Sequence, residues 1–596
     1  MKRLTISIVA LFVGLAASGQ LSNDDVLVRA LQDEMDRSLA ELQLENEPLP
    51  YFISYSVQER KSSTLTYVLG AHDGTNSSLV RLLNVVVRVG SKQLDNTNFL
   101  LLEATPDQLN EMGTPHVLPL TDDYDELRRS IWIATDQAYK EALVHYSAKT
   151  SAIANQTTAE RVNDFSEEEA YQYVDERIPL GLELDQLANL ARQVSEVFRG
   201  RSEVFSSYAT AFSSTTKRTY LDSEGNFHRY SFELCNVRTH ASTQTSTGAI
   251  VKDGTSALTR DCSRLPKIES LQADAAYMAE HLVDQRQAES LEAYTGPVFM
   301  ESKAAAEFIN QALSGLLVAV PVPMTASPQL NTQIQNIANQ MVHRIDTRVF
   351  PRNISIVNDP TIDEYRERLL MGSYAVDSQG MPSRRTEMIS KGILKNLLTT
   401  RSPVAELAST TGSHRGMPIP LPGNLFLQTE RGVSQESILE QAIQIADSNG
   451  SDFALVIRKI ANTQEIEMAH VEMSEMVSAT MEGNVAVLPA IHVVKLYPDG
   501  REVPVQPMVI VDFVPGHFRD IVATTSQTHH HDVPASPLSG LNVLMAMIRG
   551  PGALSGYDQI YSSIVTPGLL IEEMSLRIAS GQMPRLPFAP HPMADE

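Results

Sequence analysis

Apolar residues recur at helical spacing from Asn23 to Leu44, at Val28, Leu31, Met35, Leu39 and Leu42, with Asn23 or Asp24 able to cap the helix. Strand-like runs follow at Tyr51–Gln58 and Thr64–Leu69. The stretch Asn84–Gly90 sets Val85, Val87 and Val89 on one face of a strand. Helical spacing returns at Asp122–His145 and at Leu184–Phe198, the latter through Leu187, Leu190, Val194 and Val197. Thr216–Leu221 and Phe227–Cys235 read as strands joined by the turn Asp222-Ser223-Glu224-Gly225, where glycine takes the positive φ. The first half therefore reads as an α+β unit with an antiparallel sheet, ending near residue 290.

The second half opens at Thr295–Met300 and continues into an alanine-rich helix, Ser302–Leu317, with a stripe of Phe308, Ile309, Ala312, Leu313 and Leu316. After Pro321 and Pro323, Thr332–Arg344 has helical spacing. Beyond residue 350 the pattern changes to short strands and Gly- or Pro-marked turns, interrupted by a helix at Ser434–Asp447. Tyr497-Pro498-Asp499-Gly500 is a hairpin turn between Ala490–Leu496 and Val503–Pro504. Further strands are expected at Val509–Phe513 and Leu569–Glu572. The expectation is a two-domain α+β protein: residues 20–290 as an antiparallel sheet with helices, and 291–596 as a β-rich domain with an extended C-terminal region.

Composition narrows the partners. The 596 residues are 42% hydrophobic and 20% charged, the balance of a globular chain. A net charge of −24 is the wrong sign for neutralising phosphates, which argues against nucleic acid and anionic membrane surfaces. Lys2 and Arg3 precede the apolar run Leu4–Ala17, and Ala17-Ser18-Gly19 fits a cleavage site, so residues 1–19 read as a signal peptide. The run is shorter than the roughly 20 residues of a membrane span. Export to a periplasmic or extracellular compartment, after cleavage near Gly19, is expected. In that setting Cys235 and Cys262 either form a disulfide or remain two buried thiols, and spacing alone does not decide between them.

Local catalytic motifs are sparse. GxGxxG, P-loop, GxSxG and HExxH patterns are all absent. Gly412-Ser413-His414-Arg415-Gly416 comes nearest to a nucleophile elbow, but its serine is one place early. The compact ligand clusters are His470-Val471-Glu472 and His529-His530-His531-Asp532, and the histidine tract reads as a solvated loop.

Longer segments resemble the TldD/PmbA family of metalloprotease-related proteins. Val376–Thr386 (VDSQGMPSRRT) followed by Ile389–Leu398 is similar to the family's D-x-x-G-x-P-x-x-R-T stretch and its I-x-x-G-x-L hairpin. Ser409–Gly412, Pro422–Asn424, the Thr219–Gly225 turn and Val89-Gly90…Asp95-Asn96…Phe99 resemble further family segments in the same order. Where catalytic members carry H-E-x-x-x-H, this chain has Met300-Glu301-Ser302-Lys303-Ala304-Ala305, so Met300 and Ala305 stand at the histidine positions. A thioether and a methyl group do not replace two imidazoles on zinc. The family's ligand cysteine is missing too, since no cysteine follows Cys262.

The resemblance therefore implies the PmbA/TldE branch: a non-catalytic, metal-free subunit in which Glu301 is a remnant. Its implied partners are a TldD-type catalytic subunit, or further copies of itself, together with unfolded peptide. Asp377, Gly380, Arg384, Arg385, Gly392 and Gly412 are the candidate peptide-binding residues: glycine-punctuated strand edges could hold an extended chain, and the arginines a carboxylate. Two alternatives remain open. One is a zinc peptidase using His470, Glu472 and His529–His531; the other is a peptide-binding or assembly protein with no protease partner.

Overall fold

A computed structural model of the chain describes residues 25–101, 115–154, 162–245, 248, 250–404, 407, 409–416, 419–465, 478–479, 482–535 and 560–579. The expected signal segment, His470 and Glu472 lie outside these. Helix α1 (Val26–Glu41) begins where the Asp25 carboxylate accepts from the Val28 N–H, which makes Asp25 the cap rather than Asn23 or Asp24.

The first sheet comprises β1 (Pro50–Val68), β2 (Ala71–Val89), β3 (His116–Val117), β4 (Gln172–Val174), β5 (Ser206–Asp222), β6 (Phe227–Gln244) and β7 (Ile250–Thr259). Its order is β3-β2-β1-β5-β6, with β4 and β7 both pairing β6. The two runs expected at 51–58 and 64–69 are one strand. Pairing continues through the polar Glu59–Ser63 because β2 and β5 flank β1 on both sides.

Alternation decides the faces of this sheet. Ile53, Tyr55, Val57, Leu83, Val87 and Val89 point to one side and pack under α1 and α2 (Tyr124–Ala154). Further along the same side Leu65, Ala209, Ala211, Val237 and Ala241 pack against α3 (Leu184–Ser195) and α4 (Ile268–Gln285). Ser54, Ser56, Arg218, Tyr220, Tyr230 and Phe232 occupy the opposite face. Cys235 of β6 is joined to Cys262 by a disulfide.

Beyond residue 290 the chain builds two more sheets. One runs β13-β12-β9-β14-β21-β20, from β9 (Ile354–Asn358), β12 (Thr386–Ser390), β13 (Ile393–Leu394), β14 (Asn424–Thr429), β20 (His529–Pro534) and β21 (Tyr561–Thr566). The other links β8 (Ala293–Met300), β15 (Ala454–Ile460), β16 (Ala490–Leu496), β18 (Met508–Val511) and β22 (Leu569–Ile578). It closes into a ring, because β15 pairs both β8 and β16; β17 (Glu502–Val505) and β19 (Ile521–Thr524) attach to β16 and β22. The small hairpin β10 (Glu364–Tyr365) and β11 (Arg368–Leu369) stands apart.

Between the two larger sheets lies α5 (Ser302–Phe308), which passes at once into a single π turn, Ile309–Leu313. The expected sixteen-residue helix is thus a short α segment with a widened end. Helix α6 (Pro328–Ile337) starts on the Ser327 hydroxyl, and α7 (Gln435–Ser448) on that of Ser434. The architecture is α+β, as expected. One reading is corrected: His529–His531 form part of β20, paired with Thr566, Val565 and Ile564, and are not a solvated loop.

Candidate functional site: a groove between the first sheet and the loops of the second half

The polar face of the first sheet does not pack against a helix. It faces loops of the second half across a cavity of about 2780 Å³. Sites for drug-sized ligands are about 300–1,000 Å³, so this space suits a polymer segment better than a metabolite. Ser54, Ser56, Arg218, Tyr220, Tyr230 and Phe232 form the sheet wall; Tyr374–Gln379, Arg401 and His414–Gly416 form the opposite one.

The walls meet through the segments that resemble family motifs. In the first half, Asp222 closes its turn by accepting from the Glu224 and Asn226 N–H groups and from the Asn226 amide. From the second half Gly380, at φ 82°, presses on that turn, and a Cβ there would lie 2.9 Å from the Asn226 Cβ. The Tyr220 hydroxyl reaches the Gln379 carbonyl at 3.4 Å.

A buried ionic layer backs this junction. Arg401 is fully buried, donates to Glu224 at 2.5 Å and to the Ser166 carbonyl, and lies 3.9 Å from the Phe165 ring centre. Glu224 also pairs with Lys92 at 2.7 Å; these two cations outweigh its burial and hold its pKa below the usual range. Arg88–Asp95 (2.7 Å) and Lys149–Asp164 (2.6 Å) complete the layer.

Asp377 is buried and accepts the N–H groups of Gln379 and Met381 on Oδ1 and of His414 on Oδ2. Burial nevertheless pushes its pKa up to about 7. His414 is driven the other way, to about 4, by burial reinforced by Arg88 and Arg218, so its ring is neutral at physiological pH. The Ser413 hydroxyl bonds Thr411 at 2.9 Å, which leaves no serine–histidine pair in this loop.

The expected site residues divide accordingly. Asp377, Gly380 and Gly412 come together behind the groove wall, where Gly412 (φ 65°) brings its loop so close that a Cβ would sit 2.1 Å from the Pro382 carbonyl. Arg384 donates to the Thr410 carbonyl of the same cluster. Arg385 is exposed, 3.7 Å from Asp359. Gly392 lies elsewhere, in the β12–β13 turn against the Phe350 carbonyl. Sequence reasoning missed Arg218, Tyr220 and Tyr230, for which the even-numbered polar and aromatic run through β5 and β6 was the available signal, and Arg401, which no local pattern marks.

At the position aligned with the family zinc motif, Met300 ends β8 between Leu569 and Ile457, and Ala305 lies in α5; both are fully buried in the apolar core. Glu301 precedes the helix and pairs with Arg458 at 3.3 Å. His531 reaches the Ser302 hydroxyl at 3.2 Å, and His530 bonds Asp532 at 2.8 Å. Among the described residues no three His, Cys, Asp or Glu side chains form a metal-ligand set. The residues present do not fit the family's zinc.

Residues 293–577 match the model of the PmbA/TldA metallopeptidase C-terminal domain. A protein from Archaeoglobus fulgidus described as a metalloprotease is 21% identical over 162 residues, covering 26% of this chain and about a third (34%) of the relative's length. TldE from Thermococcus kodakarensis superposes with a TM-score of 0.55 at 11% identity, over 92% of this chain and all of that one. A Thermotoga maritima protein solved as a candidate modulator of a DNA gyrase gives a TM-score of 0.55 at 13% identity, again over 92% of this chain and all of that one. The expected resemblance to the TldD/PmbA family is borne out, and these structures share the fold.

Proposed function

From a PmbA/TldD-type C-terminal domain spanning residues 293–577, we propose that the chain is a non-catalytic, peptide-receiving subunit of a metalloprotease assembly, exported from the cytoplasm. The observation that carries this reading is the burial of Met300 and Ala305 in the apolar core where a catalytic member has two imidazoles. A zinc ion there would meet a thioether and a methyl group, neither of them a ligand for borderline Zn²⁺. The groove supports the peptide half of the proposal, with a volume suited to an extended chain and a wall of alternating hydroxyl, aromatic and guanidinium groups. The likeness in fold to TldE supports the pairing with a catalytic subunit. The Cys235–Cys262 disulfide supports an oxidising compartment.

The alternative zinc site built on His529–His531 finds less support, because successive residues of β20 point to opposite faces. The test is elemental analysis of the untagged mature protein after dialysis, followed by co-purification with candidate HExxxH subunits. Less than about 0.1 zinc per chain, peptide hydrolysis only in the mixture, and a stable complex are expected. Close to one zinc per chain, or chelator-sensitive hydrolysis by this chain alone, would overturn the proposal.

A further inference from the structure

We propose that Arg218 and Arg415 form an anion subsite in the groove that receives a carboxylate of the bound chain, either its C-terminal carboxylate or an Asp or Glu side chain. The proposal rests on reading the groove as a peptide site.

Two arginines line the cavity here from opposite walls, near enough for the charge of Arg218 to act on Arg415. Arg218 projects from β5, and its Nη1 donates to the Tyr230 hydroxyl at 3.2 Å and the Ser378 hydroxyl at 3.3 Å. Arg415 comes from the 409–416 loop; its Nη1 donates to the Pro422 carbonyl at 2.7 Å and its guanidinium lies 5.1 Å from the Tyr374 ring centre. All of these partners are neutral. Elsewhere along the groove, Arg88 has Asp95, Arg177 has Asp175, Arg260 has Asp363, Arg264 has Glu364 and Arg401 has Glu224. No carboxylate among the described residues lies within ion-pair distance of Arg218 or Arg415.

Asp377 does not fill the gap. Its oxygens are taken by three backbone N–H groups and its burial favours the neutral acid. Burial together with the field of Arg218 lowers the Arg415 pKa, the mark of a cation desolvated without a counter-ion. In a chain of net charge −24, with 72 acidic residues, two guanidinium groups left without an acid partner on facing walls of a cavity are poised for an external anion. A carboxylate fits their planar fork in bidentate fashion.

The test uses the full mature chain and three fluorescent hexapeptides of one neutral sequence: free C-terminus, C-terminal amide, and amide with one internal glutamate. Anisotropy is expected to show the free acid, the glutamate peptide or both binding at least about tenfold tighter than the plain amide. The two acidic peptides distinguish the sources of the carboxylate. Arg218→Gln and Arg415→Gln should each bring the acidic peptides to within about twofold of the amide measured on the same variant, and Arg415→Lys should retain part of the preference. Equal binding of all three peptides, or a preference that survives both glutamine variants, would overturn the subsite and leave the groove reading intact.

Should no peptide bind, the groove reading fails and the subsite is judged separately. N-acetylglycine at constant ionic strength should then raise the melting temperature of the parent chain but not of the Arg218→Gln/Arg415→Gln variant. An identical response in the two would overturn the subsite.

Discussion

Lys459 of β15 donates to the Asp253 carboxylate of β7 at 2.6 Å, a buried ion pair that ties the second half of the chain to the first. The ammonium also bonds the Gly254 carbonyl and lies 3.0 Å from Glu465, while Asp253 bonds His281, whose ring stacks on His492 at 3.9 Å. Lys459 and His281 together hold the Asp253 pKa far below the carboxylate range against the effect of burial. Lys459→Met leaves two buried acids without their cation and is expected to lower stability by about 3–5 kcal/mol. Lys459→Met combined with Asp253→Asn should cost less than Lys459→Met alone. Urea denaturation of the variants checks this, and a single variant within about 1 kcal/mol of the parent would contradict the pair's role.

Stability is expected to fall as the pH drops from about 6.5 toward 4. Burial holds His414 near 4, and His228, His492 and His531 near 3, so all four are neutral in the folded chain. A depressed histidine contributes stability that is fully present above its unfolded pKa of about 6.5 and is lost as pH falls toward the folded value. Glu307 and Asp377 act in the opposite sense. Burial raises both to about 7, so their contribution is full below the ordinary carboxylate range and declines as pH rises through 7. Four groups displaced by about three units outweigh two displaced by a similar amount, at about 1.4 kcal/mol per unit. Melting temperatures should therefore rise with pH from about 4.5 to 6.5 and then level off or dip slightly toward 8, as Glu307 and Asp377 ionise. His531→Asn should flatten the slope, and Glu307→Gln, which removes an opposing group, should steepen it.

The elements that sequence patterning located are those whose own residues decide the outcome. The Asp222–Gly225 turn, the Val85–Val89 alternation and the helix capped by Ser434 are all local. The centre of β1 was not legible, because Glu59–Ser63 is held in the strand by partners on both sides and not by its own polar residues. Helix α4 escaped notice because its buried face mixes Leu271, Met278 and Leu282 with two alanines, Ala275 and Ala279, and with the polar His281 and Gln285. Arg401 breaks the inside–outside rule outright, a fully buried cation whose acid partner lies 177 positions away. Arg218 and Arg415 likewise meet only through the fold.

Removing the disulfide should loosen one rim of the groove. Cys262 is tied to β6, and Arg260 and Arg264 on either side of it pair with Asp363 and Glu364 at the β10–β11 hairpin. The crosslink closes a loop of 27 residues, for which about 2–4 kcal/mol of stabilisation is typical. Cys235→Ser/Cys262→Ser should melt several degrees lower than the oxidised parent and match the parent treated with reductant. Limited proteolysis should show faster cutting within 259–268. Identical melts with and without reductant would mean the crosslink bears no load.

Restoring the histidines of the zinc motif should damage the fold before it recruits metal. Met300 ends β8 in the closed ring of strands and Ala305 belongs to the same apolar core, both without measurable exposure. Met300→His buries an imidazole where its neighbours are apolar, leaving ring nitrogens unsatisfied at about 1–3 kcal/mol. Ala305→His adds a ring to a position packed for a methyl group, an overpacking of about 1–3 kcal/mol or more. Neither change supplies a third ligand, since no cysteine follows Cys262. Met300→His/Ala305→His is therefore expected to melt well below the parent and to carry no stoichiometric zinc by elemental analysis. A variant that kept the parental melting temperature and bound one zinc per chain would show that the apolar packing hides a competent site, and the non-catalytic reading would fall with it.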